Sequence, residues 1–222
     1  MVNQRKTTPL LKISRHAFRT YNRLRLRNRN FTLITNTCIG GIIYHELGLQ
    51  FLSPTINCGI RSHEQFFIFC THLQHYTSLP LTFIQSEWNY PVAILKGDYG
   101  DITIYFSHYK NQQQANNKWE QRKKRINWNN IIIVMDGDNC TDQQIAAFDK
   151  IPHLHKVIYT IRPKQSHPSE FPITDSRYQP TQLLEYGLLN NSLRWYELLD
   201  IVRFLNTGQK QANPILKLLH TK

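Results

Sequence analysis

Short apolar runs alternate along this chain with amphipathic stretches, in the order strand, helix, strand, helix. The run 131–135 is continuously apolar, and the run 157–161 is apolar except for Thr160, as in central strands that are covered on both faces. Around them, Ile102, Ile104 and Phe106 alternate with polar residues, which predicts a half-buried strand. The pattern predicts one α/β domain over residues 31–222, with a mostly parallel sheet and helices on both faces.

Helices are predicted where apolar residues recur at helical spacing behind a capping residue. Ser62 begins one candidate over residues 62–77, and Thr141 begins another over 141–151. A short helix after the first strand is expected to end at Gly48. The polar stretch 112–126 is also predicted to be a helix, and the tail 180–208 is predicted to form one or two helices.

The N-terminal 30 residues form a predicted extension whose charge differs from that of the rest of the chain. They hold nine of the 27 lysines and arginines and no acidic residue. Residues 9–27 read as a basic amphipathic helix, which suits an anionic membrane surface, a nucleic acid, or docking with a solvated charged face. Of the specific partners, anionic lipid or a polyanionic substrate is favoured, and nucleic acid is disfavoured.

No apolar run reaches the roughly 18 residues of a membrane-spanning helix, and no secretory leader is recognisable. The four widely spaced cysteines suit reduced thiols in the cytosol. We therefore expect a cytoplasmic protein that can associate with the inner face of the cell membrane.

The exit of the first predicted strand carries the first candidate site, in the segment 36–41, Asn-Thr-Cys-Ile-Gly-Gly. A helix N-terminus favours a thiolate at Cys38, and Asn36 can stabilise an oxyanion. Gly40 and Gly41 would let a substrate approach the backbone closely. The alternative is a small buried thiol without a catalytic role at a tight strand-to-helix turn.

His45 lies two helical turns from Cys38, too far for a direct hydrogen bond, and is expected to line the pocket or cap the helix.

Two further strand exits carry groups suited to proton transfer. His108, with the hydroxyl of Tyr109 beside it, follows an alternating strand and is a candidate general base. Asp136 and Asp138 end the most apolar strand, where paired acids can orient a histidine or hold a metal. Their alternative interpretation is an Asp-Gly turn followed by a helix cap.

The segment 118–128 is rich in lysine and arginine, and Arg122 and Arg125 are candidate contacts for donor phosphates. A solvated helix face is the alternative. No Cys/His pattern with metal-ligand spacing is present, so no metal site is assigned.

Four segments of the sequence resemble a bacterial family of unknown function whose members are commonly labelled exopolysaccharide biosynthesis proteins. The four segments are TNTCIGGIIYHELGLQFLSPTIN, YPVAILKGDYGDITIYFSHYK, KWEQRKKRINWNNIII and FDKIPHLHKVIYT, and the resemblance spans about residues 31–160. The resemblance implies an α/β fold and a place beside glycosyltransferases in capsule or surface-polysaccharide assembly. The sequence departs from that pattern around Cys58 and Gly59. The Asn-x-Cys turn is also similar to the first strand exit of coenzyme-A-binding polysaccharide acyltransferases.

These observations predict a transferase of surface-polysaccharide biosynthesis, with acyl transfer to a sugar hydroxyl as the favoured reaction. His108 would remove the hydroxyl proton, Asp136 would orient it, and Cys38 would be nucleophile or pocket wall. The activated donor would be a coenzyme A thioester or a nucleotide-sugar, and the acceptor a sugar or a lipid-linked glycan. A metal-dependent glycosyl- or glycerophosphate-type transferase and a non-catalytic membrane-associated assembly protein are the alternatives.

Overall fold

The computed structural model describes residues 9–153, 155–174 and 195–214. The strands are β1 (Thr32–Thr35), β2 (Thr82–Ile84), β3 (Val92–Leu95), β4 (Ile102–Tyr105), β5 (Ile131–Asp136), β6 (His155–Thr160) and β7 (Glu170–Pro172). The helices are α1 (Pro9–Arg25), α2 (Ile39–Leu47), α3 (His63–Thr71), α4 (Leu73–Ser78), α5 (Gln112–Lys123), α6 (Asp142–Asp149) and α7 (Ile201–Thr207), with a 3-10 helix at Trp195–Leu198.

The central sheet has the strand order β1-β5-β6-β7, and every described pair in it is parallel. Successive residues of β5 point to opposite faces, as the pleat requires. Ile133 and Met135 pack with α3, α5, α6 and the second sheet. Ile132 and Val134 pack with α2, the 3-10 helix and α7. The predicted α/β class, with helices covering both faces of the parallel strands, is confirmed for this sheet.

Strands β2, β3 and β4 form a separate antiparallel sheet, which the prediction of one mostly parallel sheet did not include. The physical reason is the length of their connections. Only residues 96–101 join β3 to β4, whereas a parallel crossover needs roughly a dozen residues or more. The fold is therefore mixed α/β with two sheets.

The predicted helix boundaries hold where a capping interaction fixes them. The Ser62 side chain accepts a hydrogen bond from the Gln65 N–H, and Thr141 forms a capping box with Gln144. Gly48 ends α2 with φ of 68°. The single helix predicted over residues 62–77 is wrong, because His72 adopts φ −114° and ψ 38° and separates α3 from α4. Of the predicted tail helices, the part over 180–194 lies outside the described residues.

Helix α1 is held on the body of the protein by its arginines. Arg15 pairs with both Glu46 (2.6 Å) and Glu197 (2.7 Å), two carboxylates that are themselves buried. Arg19 also reaches Glu46, and Arg25 pairs with Asp200. Three buried carboxylates of the domain therefore pair with three arginines of this basic face. The boundary proposed at residue 30 stays a prediction.

None of the helices within the described ranges is both long enough and apolar enough to cross a bilayer.

Candidate functional site

A cavity of about 590 Å³ opens at the carboxyl ends of β1 and β5. This is the edge at which open parallel sheets commonly bind ligands. The parallel sheet contributes Asn36, Thr37, Cys38, Asp136, Asp138 and Asn139 to the lining. The opposite wall comes from the loop before α3, from the start of α3, and from the end of β4, with Cys58, Gly59, Ile60, Arg61, His63, Tyr105 and Ser107.

The Asn36 side chain joins the two strands just beyond their last paired residues. Its Nδ2 donates to the Asp136 carbonyl and its Oδ1 accepts from the Asp136 N–H, both at 2.9 Å. This pair of bonds continues the β1–β5 ladder by means of a side chain. Asn36 therefore fixes the backbone at Asp136, and this bonding occupies one of the two amide hydrogens expected to stabilise an oxyanion.

Asp136 is the most buried carboxylate of the cavity, with 3% of its surface exposed. Its Oδ1 accepts from the Asp138 N–H at 3.1 Å, and its Oδ2 has no hydrogen-bond partner among the described residues. Burial raises the pKa of Asp136 from 3.8 to about 7, with the Asp138 N–H opposing the rise and the Asp138 charge adding to it. A carboxyl group with that pKa exchanges its proton near neutral pH, as a general base must.

The turn after β5 depends on Gly137. A Cβ at this position would lie 2.3 Å from Ile158 Cγ1 and 2.8 Å from the Tyr159 carbonyl oxygen, both on β6. Asn139 then takes a left-handed conformation with φ of 62°. The close approach of the turn to β6 places the two aspartates at the cavity.

We expect Gly137→Ala to destabilise the fold by about 1–3 kcal/mol, because the added methyl group forces β5 and β6 apart. Urea unfolding of Gly137→Ala, Ile158→Ala and the double variant measures the coupling between the two positions. The double variant should lose less stability than the sum of the single variants. Additive losses would mean that the contact with Ile158 is not the cause.

Cys38 is half-buried, lines the cavity, and occupies the N-cap position of α2 without a side-chain capping bond. Neither histidine considered beside it in the sequence reaches the cavity. His45 is exposed in the last turn of α2, and His108 is exposed in the turn after β4. The structure thus brings Cys38 together with Asp136, but not with His108.

A thiol–imidazole pair that is absent from the sequence predictions lies beside the cavity. The Cys140 Sγ is 3.3 Å from Nδ1 of His63, although the two residues are 77 positions apart. Burial raises the pKa of Cys140 to about 12, and burial lowers the pKa of His63. Both groups are therefore neutral at physiological pH, and the thiol is a poor nucleophile. The only feature of the sequence that could have pointed to this pair is that each residue lies beside a predicted helix cap, His63 beside Ser62 and Cys140 beside Thr141.

The remaining predicted binding residues lie outside the cavity. Arg122 is buried, and its Nη1 donates to the Ile56 carbonyl at 3.0 Å and to the Tyr109 hydroxyl. Tyr109 donates to the same carbonyl at 2.7 Å, so both residues fix the loop after α2. Burial raises the pKa of Tyr109. Arg125 is half-buried just after α5.

Gly40 and Gly41 serve the packing of α2. A Cβ at Gly40 would lie 2.9 Å from Thr35 Oγ1, and one at Gly41 would lie 2.4 Å from Asn57 Oδ1. The two glycines therefore let the first turn of α2 lie against β1 and against the loop that follows the helix. Through this packing they place Cys38 at the cavity.

Across the described ranges, no group of three His, Cys, Asp or Glu side chains is arranged to hold a metal ion. Asp136 and Asp138 are the only carboxylates that line the cavity within the described part of the chain.

Two comparisons with known proteins place the chain in a family. Over 185 residues it is 34% identical to an "Uncharacterized protein" of Haemophilus influenzae (strain ATCC 51907 / DSM 11121 / KW20 / Rd), covering 82% of this chain and 87% of the relative. Residues 10–206, which include the whole cavity and all but one residue of each of α1 and α7, match the family described as "Domain of unknown function (DUF1919)". This protein belongs to the DUF1919 family.

Proposed function

We propose that this protein is a transferase that moves an acyl group from an activated donor to a sugar hydroxyl during surface-polysaccharide assembly. The observation that carries the proposal is the buried Asp136 carboxyl, whose Oδ2 has no described partner at the wall of a cavity large enough for a small substrate. The biological setting follows from the family resemblance of the sequence.

In this reaction Asp136 is the general base, the role that the sequence suggested for His108. The Asp136 carboxylate takes the proton of the acceptor hydroxyl, and the hydroxyl oxygen forms a bond to the carbonyl carbon of the thioester. The resulting tetrahedral oxyanion collapses, the carbon–sulfur bond breaks, and the thiolate leaves with the electron pair. Asp136 then returns the proton to the thiolate.

The start of α2 supports oxyanion stabilisation. Asn36, Thr37 and Cys38 line the cavity immediately before the first residue of the helix, and the Cys38 side chain makes no capping hydrogen bond. Uncapped backbone N–H groups at a helix start favour negative charge. Cys38 contributes to the wall at this point, next to the position of the oxyanion.

The test is a turnover assay of the purified protein with acetyl-coenzyme A and a panel of sugar acceptors. Asp136→Asn should lower kcat by at least about 100-fold, since general base catalysis contributes roughly 10²–10⁴-fold. Asp98→Asn, a change in a carboxylate whose side chain is 88% exposed, is the matched control. An active Asp136→Asn together with an inactive His108→Ala would reverse the assignment of the base.

A metal-dependent glycosyl- or glycerophosphate-type transferase is the second candidate, and the adjacent positions of Asp136 and Asp138 favour it. Magnesium is commonly held by one or two carboxylates, with substrate phosphates and water as further ligands. Turnover of nucleotide-sugars that requires magnesium or manganese and ceases on chelation would select this candidate over acyl transfer.

Association with the inner face of the cell membrane is also our proposal. Leu24 is 81% exposed and Tyr21 42% exposed on α1, with Arg27 and Arg29 exposed just beyond the helix. An exposed apolar side chain beside basic residues suits an anionic bilayer surface.

We expect the protein to co-sediment with phosphatidylglycerol vesicles and several-fold less with phosphatidylcholine vesicles. Leu24→Glu should lower the bound fraction, because it places an anionic side chain at the bilayer surface. Ile84→Glu, at an exposed apolar residue of the second sheet, is the control. Equal partition of the wild type and Leu24→Glu would contradict membrane docking through this face.

A further inference from the structure

Arg61 lies at the mouth of the cavity in a fixed orientation. Its guanidinium carbon is 4.2 Å from the centre of the Trp88 ring and 4.3 Å from that of Tyr105. Nη2 donates to the Tyr90 hydroxyl at 2.6 Å. Cation–π contacts with two rings and one hydrogen bond hold the guanidinium in place before any ligand arrives.

The positive charge of Arg61 is not neutralised within the described residues. No carboxylate in these ranges pairs with it, whereas Arg15, Arg19, Arg25 and Arg162 all have acidic partners. The bond to Tyr90 is its only described hydrogen bond, and a guanidinium carries five N–H donors. Most of those donors are thus available to a ligand at the cavity mouth.

The start of α2, where the Cys38 side chain makes no capping hydrogen bond, borders the same cavity as Arg61. The aspartates of the cavity are buried, with Asp136 at 3% and Asp138 at 9% exposure, whereas Arg61 is exposed. The cavity is therefore cationic at its mouth and acidic at its base. An anionic ligand group fits the mouth, and a neutral hydroxyl fits the base.

We infer that Arg61 binds the phosphate groups of a diphosphate-bearing donor. The cavity thereby takes a molecule whose diphosphate rests on Arg61 and whose reactive end reaches toward Asp136. A guanidinium recognises phosphate oxygens through paired N–H donors, which makes arginine well suited to this role. The inference depends on the proposed transferase function only in calling the bound molecule a donor. It assigns to Arg61 the contact that the sequence suggested for Arg122 and Arg125.

The test is a binding measurement that involves no acceptor and no turnover. Inorganic pyrophosphate is titrated into the protein and followed by calorimetry and by tryptophan fluorescence, since the Arg61 guanidinium contacts the Trp88 ring. Arg61→Ala should weaken binding by roughly 10- to 100-fold, the usual effect of losing charge-assisted hydrogen bonds. Arg61→Lys should recover only part of it, because a lysine lacks the planar fork.

Arg203→Ala is the matched control, because it removes another exposed arginine whose guanidinium bonds only to Gln209 among described side chains. It should leave pyrophosphate binding unchanged. Equal losses in Arg61→Ala and Arg203→Ala, or no binding of pyrophosphate to the wild type, would overturn the inference. Circular dichroism of each variant verifies that it is folded.

Two further titrations identify the source of the diphosphate. Coenzyme A and uridine diphosphate are each compared with pyrophosphate, and tighter binding of either that depends on Arg61 supports the inference and names the donor class. Pyrophosphate binding through Arg61 in a protein without transferase activity would overturn the proposed function alone. Turnover that persists unchanged in Arg61→Ala would overturn the inference alone.

Discussion

Asp136→Asn should give a protein that is more stable than the wild type at pH 8 and, under the proposed transferase function, has a kcat lowered by at least about 100-fold. Burial raises the pKa of this carboxyl from 3.8 to about 7, so the ionised form is disfavoured in the folded state. At about 1.4 kcal/mol for each pH unit by which a pKa moves, the cost above pH 7 is on the order of 4 kcal/mol. Asparagine keeps an oxygen for the Asp138 N–H and removes the buried charge.

The pH dependence follows from the direction of that pKa change. Between about pH 4 and pH 7 the folded protein binds the Asp136 proton and the unfolded chain has released it, so wild-type stability falls as pH rises through this range. The advantage of Asp136→Asn should therefore be large at pH 8 and nearly absent at pH 4. Urea unfolding at both pH values measures it, with Asp98→Asn as control.

A variant that gains stability while losing activity would identify Asp136 as a group held in an unfavourable state for function. If instead Asp136→Asn destabilises the protein at pH 8, the carboxylate makes a stabilising interaction and the assignment as a poised base is wrong.

The second large effect is expected at Arg15. Its guanidinium bridges Glu46 and Glu197, which are 7% and 1% exposed, and Glu46 also accepts a hydrogen bond from the Tyr196 hydroxyl at 2.8 Å. Removing one member of a buried ion network leaves the other charges without full compensation, which typically costs about 3–5 kcal/mol. We expect a loss of that size for Arg15→Ala in urea unfolding.

Arg27→Ala is the matched control for this prediction, because it removes the same charge from an exposed arginine just beyond α1 that forms no ion pair among the described residues. It should change stability by less than about 0.5 kcal/mol. Equal effects of the two substitutions would mean that α1 is attached loosely, as a separate extension. A large loss confined to Arg15→Ala would make α1 part of the folded domain, in keeping with a family match that begins at residue 10.

The sequence predicted the local structure correctly wherever the interaction that causes it lies within a few residues. Ser62 and Thr141 begin helices through hydrogen bonds of their side chains, and Gly48 ends one because a residue without a Cβ adopts φ of 68° readily. Each position was predictable. The buried parallel strands β5 and β6 were likewise predictable, because a continuous apolar run requires cover on both faces. His72, where the predicted helix breaks, has no such local signal.

The sequence by itself determined the α/β class, the basic helix, and the strand exits that carry Asn36, Cys38 and Asp136. Only the tertiary structure decided that Asn36 bonds to the Asp136 backbone, that His63 meets Cys140, and that Arg61 rather than Arg122 faces the cavity. The arginines of α1 are a further example. Their charge was evident in the sequence, but their buried acidic partners were not. The physical reason is distance along the chain. These contacts join residues far apart in sequence, and whether a polar group faces solvent, a partner or a cavity is settled only when the elements pack.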